Sequence, residues 1–188
     1  MLIIGITGTN GSGKGTVVDY LIQEKGFVHY SVRVYLLEII KEQRLPENRE
    51  SMINVANKLR EDNDSPSFII DQLYKRAIEN GKNCIIESIR TVGEIKSLKE
   101  KGSFYLIAVE ADPKVRYKRI LLRKSETDKI TFNTFLENEN REMQSNDPNK
   151  QNLSACIELA DFVLNNNGSI QELMAQTDRV LKKLIINN

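Results

Sequence analysis

The sequence predicts a three-layer α/β fold, a doubly wound sheet of about five parallel strands with helices on both faces. Two observations carry this. The apolar runs are short and nearly unbroken, as in "LIIGI" (residues 2–6), "CIIES" (84–88) and "YLIAVE" (105–110), which strands covered on both faces require. Amphipathic stretches of about ten residues or more separate them, and strand–helix–strand order at that spacing gives right-handed crossovers. A third observation fixes the working edge: the first run feeds a glycine-rich loop that opens directly into a helical pattern.

In chain order, the apolar runs predict strands over Leu2–Thr7, Phe27–Tyr30, Asn83–Ser88, Phe104–Glu110 and Phe162–Leu164. Helices are expected over Lys14–Glu24, Val34–Gln43, Arg49–Glu61, Ser67–Asn80, Glu94–Lys101, Lys114–Arg123, Thr131–Met143 and Ile170–Ile186. Two polar segments punctuate them. "KSETDKI" (124–130) reads as a mobile loop after an arginine-rich helix, and "MQSNDPNKQN" (143–152), with Pro148, reads as a surface loop. No internal repeat or long linker interrupts the pattern.

With 188 residues, 40% hydrophobic and 28% charged, the chain suits one globular domain over 1–188. Its net charge of +1 supplies no global field for nucleic acid or an acidic membrane. No apolar run approaches the ~20 residues that span a bilayer. "MLIIGI" lacks a basic n-region and runs into the loop, so it reads as a strand, and a cytoplasmic location is expected. Cys84 and Cys156 match no metal spacing and read as buried small hydrophobes. His29, the single histidine, reads as structural.

The loop Gly8-Thr9-Asn10-Gly11-Ser12-Gly13-Lys14 fits G-x-x-x-x-G-K between a strand and a helix. Backbone N–H groups of such a loop turn inward as an anion nest. The following helix adds unpaired N–H groups and its positive dipole end, and Lys14 bridges terminal phosphates as a flexible point charge. Glycines admit the close approach and the positive φ. Gly15 stands where the pattern usually has Ser or Thr, and the hydroxyl follows at Thr16. This G-K-G-T resembles adenylate kinase and related nucleoside monophosphate kinases. The resemblance implies a P-loop kinase fold, with ATP on Gly8–Thr16 and a short lid over about 119–141.

The third apolar strand ends in Glu87, a carboxylate placed to orient a hydrated Mg²⁺ beside the loop, with Thr16 as a further candidate ligand. Around it "IIESIRT" resembles the D-G-x-P-R-T segment of adenylate kinases, with Glu87 for Asp and Ser88 for Gly. The resemblance gives Arg90 the acceptor's phosphate. In "DPKVRYKRILLRK", Arg116, Arg119 and Arg123 fall at i, i+3 and i+7 on one helical face, with Leu121 and Leu122 expected towards the core. Planar guanidiniums match the spread charge of a transferring phosphoryl group. Arg119 and Arg123 resemble the R-x-x-x-R that opens the lid of monophosphate kinases, and Arg141 the arginine on the returning helix.

By the same resemblance, residues 31–80 build the acceptor pocket, with Ser31 at the start of "HYSVRVYLLEII". Adenylate kinases carry an arginine where this chain has Leu37, so Arg33 or Arg60 is the substitute. Nearly the whole chain, through "RESMINVANKLRED", "AVEADPKVRYKRILLRK" and "LADFVLNNNGSIQEL", resembles the deoxynucleoside monophosphate kinase-like and dephospho-coenzyme A kinase-like group. There the turn at Asn167 and Gly168 lies against adenine; locally it is also an Asn-Gly turn before a helix capped by Ser169. The implied activity is ATP- and Mg²⁺-dependent phosphorylation of a nucleoside or deoxynucleoside monophosphate. Dephospho-coenzyme A kinase and a non-catalytic nucleotide-binding regulator are the alternatives.

Overall fold

The computed structural model describes residues 1–123, 130–148 and 150–186. Five strands, β1 (Ile3–Thr7), β2 (Val28–Ser31), β3 (Cys84–Glu87), β4 (Phe104–Glu110) and β5 (Phe162–Asn165), form one all-parallel sheet in the order β2-β3-β1-β4-β5. The helices are α1 (Lys14–Lys25), α2 (Val32–Glu42), α3 (Arg49–Asp62), α4 (Phe68–Asn80), α5 (Val92–Glu100), α6 (Pro113–Leu122), α7 (Phe132–Met143), α8 (Leu153–Glu158) and α9 (Ile170–Ile186). Every predicted strand and helix is present, with ends displaced by a residue or two. Only α8 is unforeseen. Six residues are too few to establish a helical period; Asn152 caps it by accepting from Ala155 N (3.1 Å).

Alternation along the strands divides the core between the two faces. Ile3, Ile86 and Leu106 pack with Leu36 and Ile40 of α2, Ile69 and Leu73 of α4, and Ile95 and Leu98 of α5. Their neighbours Ile4, Ile85 and Ile107 point to the other face, against Val17 and Leu21 of α1 and Leu173 and Leu184 of α9. This period of two is what lets one strand serve two hydrophobic layers. Each fully buried aliphatic side chain contributes about 1.5–3 kcal/mol. Cys84 and Cys156 are buried and unbridged, and burial pushes their thiols up to about 11 and about 12.

Local signals stop and start the helices. Gly26, at φ 70°, ends α1: its N–H donates to Ile22 O, and Phe27 N–H to Leu21 O. Thr91 and Glu94 close a capping box at α5. Pro113 takes the first turn of α6 behind Asp112. Leu121 and Leu122 do not face the core; they are 45% and 78% exposed. The buried stripe of α6 is Arg116 and Ile120, one turn apart. No described helix is long and apolar enough to cross a membrane.

Candidate active site

The carboxyl ends of β1, β2 and β3 meet at one edge of the sheet, with β1 between β3 and β4. Parallel registry sets Glu87 opposite both Ile6 and Ser31, so the carboxylate stands next to the strand that enters the glycine loop. The loop itself turns on three left-handed glycines. A Cβ on Gly8 (φ 132°) would lie 2.2 Å from Val109 O, on Gly11 (φ 78°) 2.7 Å from Arg116 O, and on Gly13 (φ 103°) 2.1 Å from Asn166 Nδ2. Gly15 differs: no atom comes within 4 Å of its would-be Cβ. Thr16 follows in the first turn of α1, half-buried.

Lys14 folds back over this loop, donating from Nζ to Gly8 O (2.7 Å) and Thr9 O (2.8 Å). Burial pushes its ammonium down to about 7, and the charges of Arg90 and Arg123 add to the fall, while Glu87 and Glu142 oppose it. Glu87 accepts from Ser31 Oγ (3.1 Å), and His29 Nε2 stands 3.5 Å away, at ion-pair range and long for a hydrogen bond. The imidazole holds the Glu87 carboxyl below its usual range against the pull of burial, with Ser31 and Lys14 assisting. His29, read as structural, thus stands beside a candidate site residue.

The arginines divide their work. Arg116 is a strut: it is 3% exposed, donates to Ala111 O (2.8 Å) and Asn10 O (3.3 Å), pairs with both oxygens of Glu139, and stacks 5.3 Å from the Phe135 ring. Arg119 Nη2 donates to Asn166 O (2.9 Å), and its Nη1 is buried with no hydrogen-bond partner among the described residues. Arg123 is exposed and reaches Asn10 Oδ1 at 3.5 Å. Ser12 Oγ is likewise buried and unpartnered among the described residues. The central part of the predicted lid, 124–129, lies outside the described residues.

Arg90 Nη1 donates to Gln151 Oε1 (2.7 Å) and Glu142 Oε2 (3.2 Å). Those two acceptors also line a cleft of about 720 Å³ between α3 and α7, with Asn57, Asn138 and the exposed Arg141. The expected acceptor region and the returning helix thus share one cavity that adjoins the arginine beside the loop. Arg60 does not join them. It is a buried partner of Glu94 (3.1 Å), with side chains 7% and 1% exposed, so its guanidinium serves the fold. Arg33 is exposed in the first turn of α2, and Ser31 caps that helix through Val34 N (3.4 Å).

At the β5 end, Asn167 Oδ1 accepts from Asp112 N (2.7 Å), which ties the turn to α6. Gly168 is exposed and leaves room for Glu172 Oε2, which would lie 1.8 Å from a Cβ there. Asn166, in contrast, is 6% exposed. Leu164 and Asn166 are both buried between exposed Val163, Asn165 and Asn167, so the strand's alternation runs one residue past its end, whereas the sequence, with three asparagines in a row, does not single out Asn166.

Three comparisons set this geometry among known proteins. A family model described as AAA domain matches residues 4–147. A UPF0200 protein of Methanococcus maripaludis is 31% identical over 98% of both chains. Among solved structures, a putative kinase from Chloroflexus aurantiacus covers 100% of this chain and 97% of its own, at TM-score 0.61 and 18% identity. Shikimate kinase from Bacteroides thetaiotaomicron covers 97% and 98%, at TM-score 0.54 and 10% identity. The five-stranded parallel sheet with its strand-to-helix phosphate loop is the P-loop kinase fold, and the chain belongs to the AAA-domain family and to the UPF0200 proteins.

Proposed function

We propose that this chain is an ATP-dependent phosphotransferase whose acceptor is a nucleoside or deoxynucleoside monophosphate. The observation that carries the reading is the glycine loop between β1 and α1, turned on Gly8, Gly11 and Gly13 and covered by Lys14, with Glu87 at the tip of the neighbouring strand. ATP lies with its phosphates on Gly8–Thr16, where backbone N–H groups and Lys14 meet the charge. The acceptor enters the cleft between α3 and α7 and presents its reacting oxygen on the Arg90 side. Arg119 and Arg123 meet the charge on the transferring oxygens, and Arg141 closes the far lip. Catalysis is then positioning and electrostatics, with water excluded from the phosphoryl group.

Mg²⁺ fits the residues present. It binds through one or two carboxylates plus substrate phosphates and keeps several waters, so it needs no all-protein cage. Among the described residues no cluster of three His, Cys, Asp or Glu side chains could hold a metal. Glu87, kept ionised, offers one hard oxygen, and Thr16 in the adjacent helical turn offers another. The ion's contribution when bound is to neutralise charge between the phosphates. What the protein adds is the orientation of Glu87 by Ser31 and His29.

A second reading has its own support. With Leu37 in place of an arginine, two of the arginines expected at the acceptor phosphate are already engaged, Arg60 with Glu94 and Arg90 with Glu142. A hydroxyl acceptor, as in dephospho-coenzyme A, requires a base instead, and ionised Glu87 can take that proton. The deciding experiment incubates the protein with Mg²⁺-ATP and a panel of ribo- and deoxynucleoside monophosphates and dephospho-coenzyme A, with Lys14→Ala as control. Lys14-dependent phosphorylation of one monophosphate is the expected result. Turnover of dephospho-coenzyme A alone selects the second reading. Tight ATP binding with no acceptor phosphorylated removes both and leaves the regulator.

A further inference from the structure

Asn166 joins three parts of the site, through its backbone N–H and C=O and through its side chain. Its N–H donates to Glu110 O (2.7 Å), which extends the β4–β5 pairing to the mouth of the loop. Its Nδ2 donates to Ser12 O at 2.7 Å, a buried bond between residues 154 positions apart. Its backbone carbonyl accepts from Arg119 Nη2 at 2.9 Å, with Oδ1 at 3.4 Å from the same nitrogen. Space for this exists because Gly13 has no side chain.

The bond to Ser12 O has a geometric consequence. In a trans peptide the C=O of residue 12 and the N–H of residue 13 point in opposite directions. Fixing the Ser12 carbonyl towards Asn166 therefore turns the Gly13 N–H to the opposite side of the chain, away from Asn166. The same asparagine engages one nitrogen of Arg119 and leaves Nη1 buried and unpartnered among the described residues. An orphaned guanidinium N–H is costly unless an anion answers it.

We propose that Asn166 is a positioning residue that couples the phosphate loop to Arg119, so that a loop N–H and a guanidinium are aimed together at the phosphates of one nucleotide. The proposal rests on the reading of the loop as an ATP site. It adds that the two donors act as a unit, with their common anchor on the turn after β5.

The test measures Mg²⁺-ATP affinity by calorimetry for the wild type, Asn166→Ala, Arg119→Ala and the double variant, with a urea-unfolding midpoint for each. Losing a buried hydrogen-bond donor predicts an affinity about tenfold weaker in Asn166→Ala. Coupling predicts that the double variant is weaker than Arg119→Ala by a clearly smaller factor, short of the product by about fivefold. A residue that only braces the fold lowers the midpoint but leaves the affinity losses multiplicative, and that result overturns the proposal. Asn166→Asp keeps the shape and the oxygens facing Arg119 but cannot donate to Ser12 O. It carries the same cycle if Asn166→Ala does not fold, and wild-type ATP affinity in Asn166→Asp overturns the proposal equally. Wild-type protein that binds no ATP ends both this inference and the reading beneath it; wild-type binding untouched by Asn166 ends this inference alone.

Discussion

Lys14 illustrates how much chemistry one residue takes from its setting. Burial and two arginines bring its ammonium from 10.5 to about 7. Between those values the unfolded chain holds a proton that the folded protein releases, so on this account stability rises with pH across that window, and the full cost is present below about 7. A bound triphosphate reverses the shift by favouring the charged form. ATP binding near pH 8 is therefore expected to take up close to one proton, read by calorimetry in buffers of different ionisation enthalpy, and Lys14→Met is expected to take up none. Ser88 offers a second test. It sits at φ 66° where adenylate kinases, by resemblance, have glycine, and a left-handed residue with a Cβ costs roughly 1–2 kcal/mol. Ser88→Gly should raise unfolding stability by about 1 kcal/mol; an unchanged or lower urea midpoint would show the strain to be compensated locally. At this scale the sequence was legible where backbone chemistry dictates the residue, as at Gly8, Gly11 and Gly13. It was not legible for Arg60, because nothing in a helical arginine announces a buried carboxylate 34 positions away, nor for His29, whose relation to Glu87 exists only across paired strands.

Among the elements, α6 and α7 form the least obvious unit. The arginine stripe of α6 was visible as spacing, but its first member points to a different task from the other two. Arg116 pairs with Glu139 of α7, and Tyr117, Phe132 and Phe135 cluster around that pair with ring centroids 5.2 to 6.1 Å apart. Since Arg116 also donates to Asn10 O, α7 is tied through one buried guanidinium to the phosphate loop. Removing the Glu139 carboxylate leaves that charge buried and uncompensated, which costs about 3 kcal/mol when a pair of this kind is broken. Glu139→Ala is thus expected to lower amide protection across α7 by roughly 100-fold in hydrogen exchange while β1 keeps its protection. Glu139→Gln retains the acceptor and should lose less. Equal loss in α7 and β1 would mean that the pair braces the whole fold and has no particular hold on α7.

For the molecule as a whole, the fold was legible because a parallel sheet buried on both faces leaves so plain a trace. Unbroken apolar strands and intervening amphipathic helices admit few other arrangements, and the glycine loop marks which edge carries the candidate site. The strand order β2-β3-β1-β4-β5 then gathers the loop after β1, Ser31, Glu87 and the turn after β5 at that edge. These groups come from the beginning, middle and end of the chain, so a nucleotide that needs several of them binds the native state and not the unfolded one. Mass action turns this into a thermal prediction. At ATP concentrations of about 100 times the dissociation constant, native stability rises by roughly 2.7 kcal/mol. For a chain of this size each kcal/mol moves the midpoint by about 2–4 °C, so Mg²⁺-ATP should raise it by roughly 5–10 °C. Scanning calorimetry should show one transition moving as a unit, with no shift in Lys14→Ala. A wild-type shift below about 1 °C at saturating Mg²⁺-ATP would sink the nucleotide reading outright, since a ligand held by this many native-state groups must stabilise the state that assembles them.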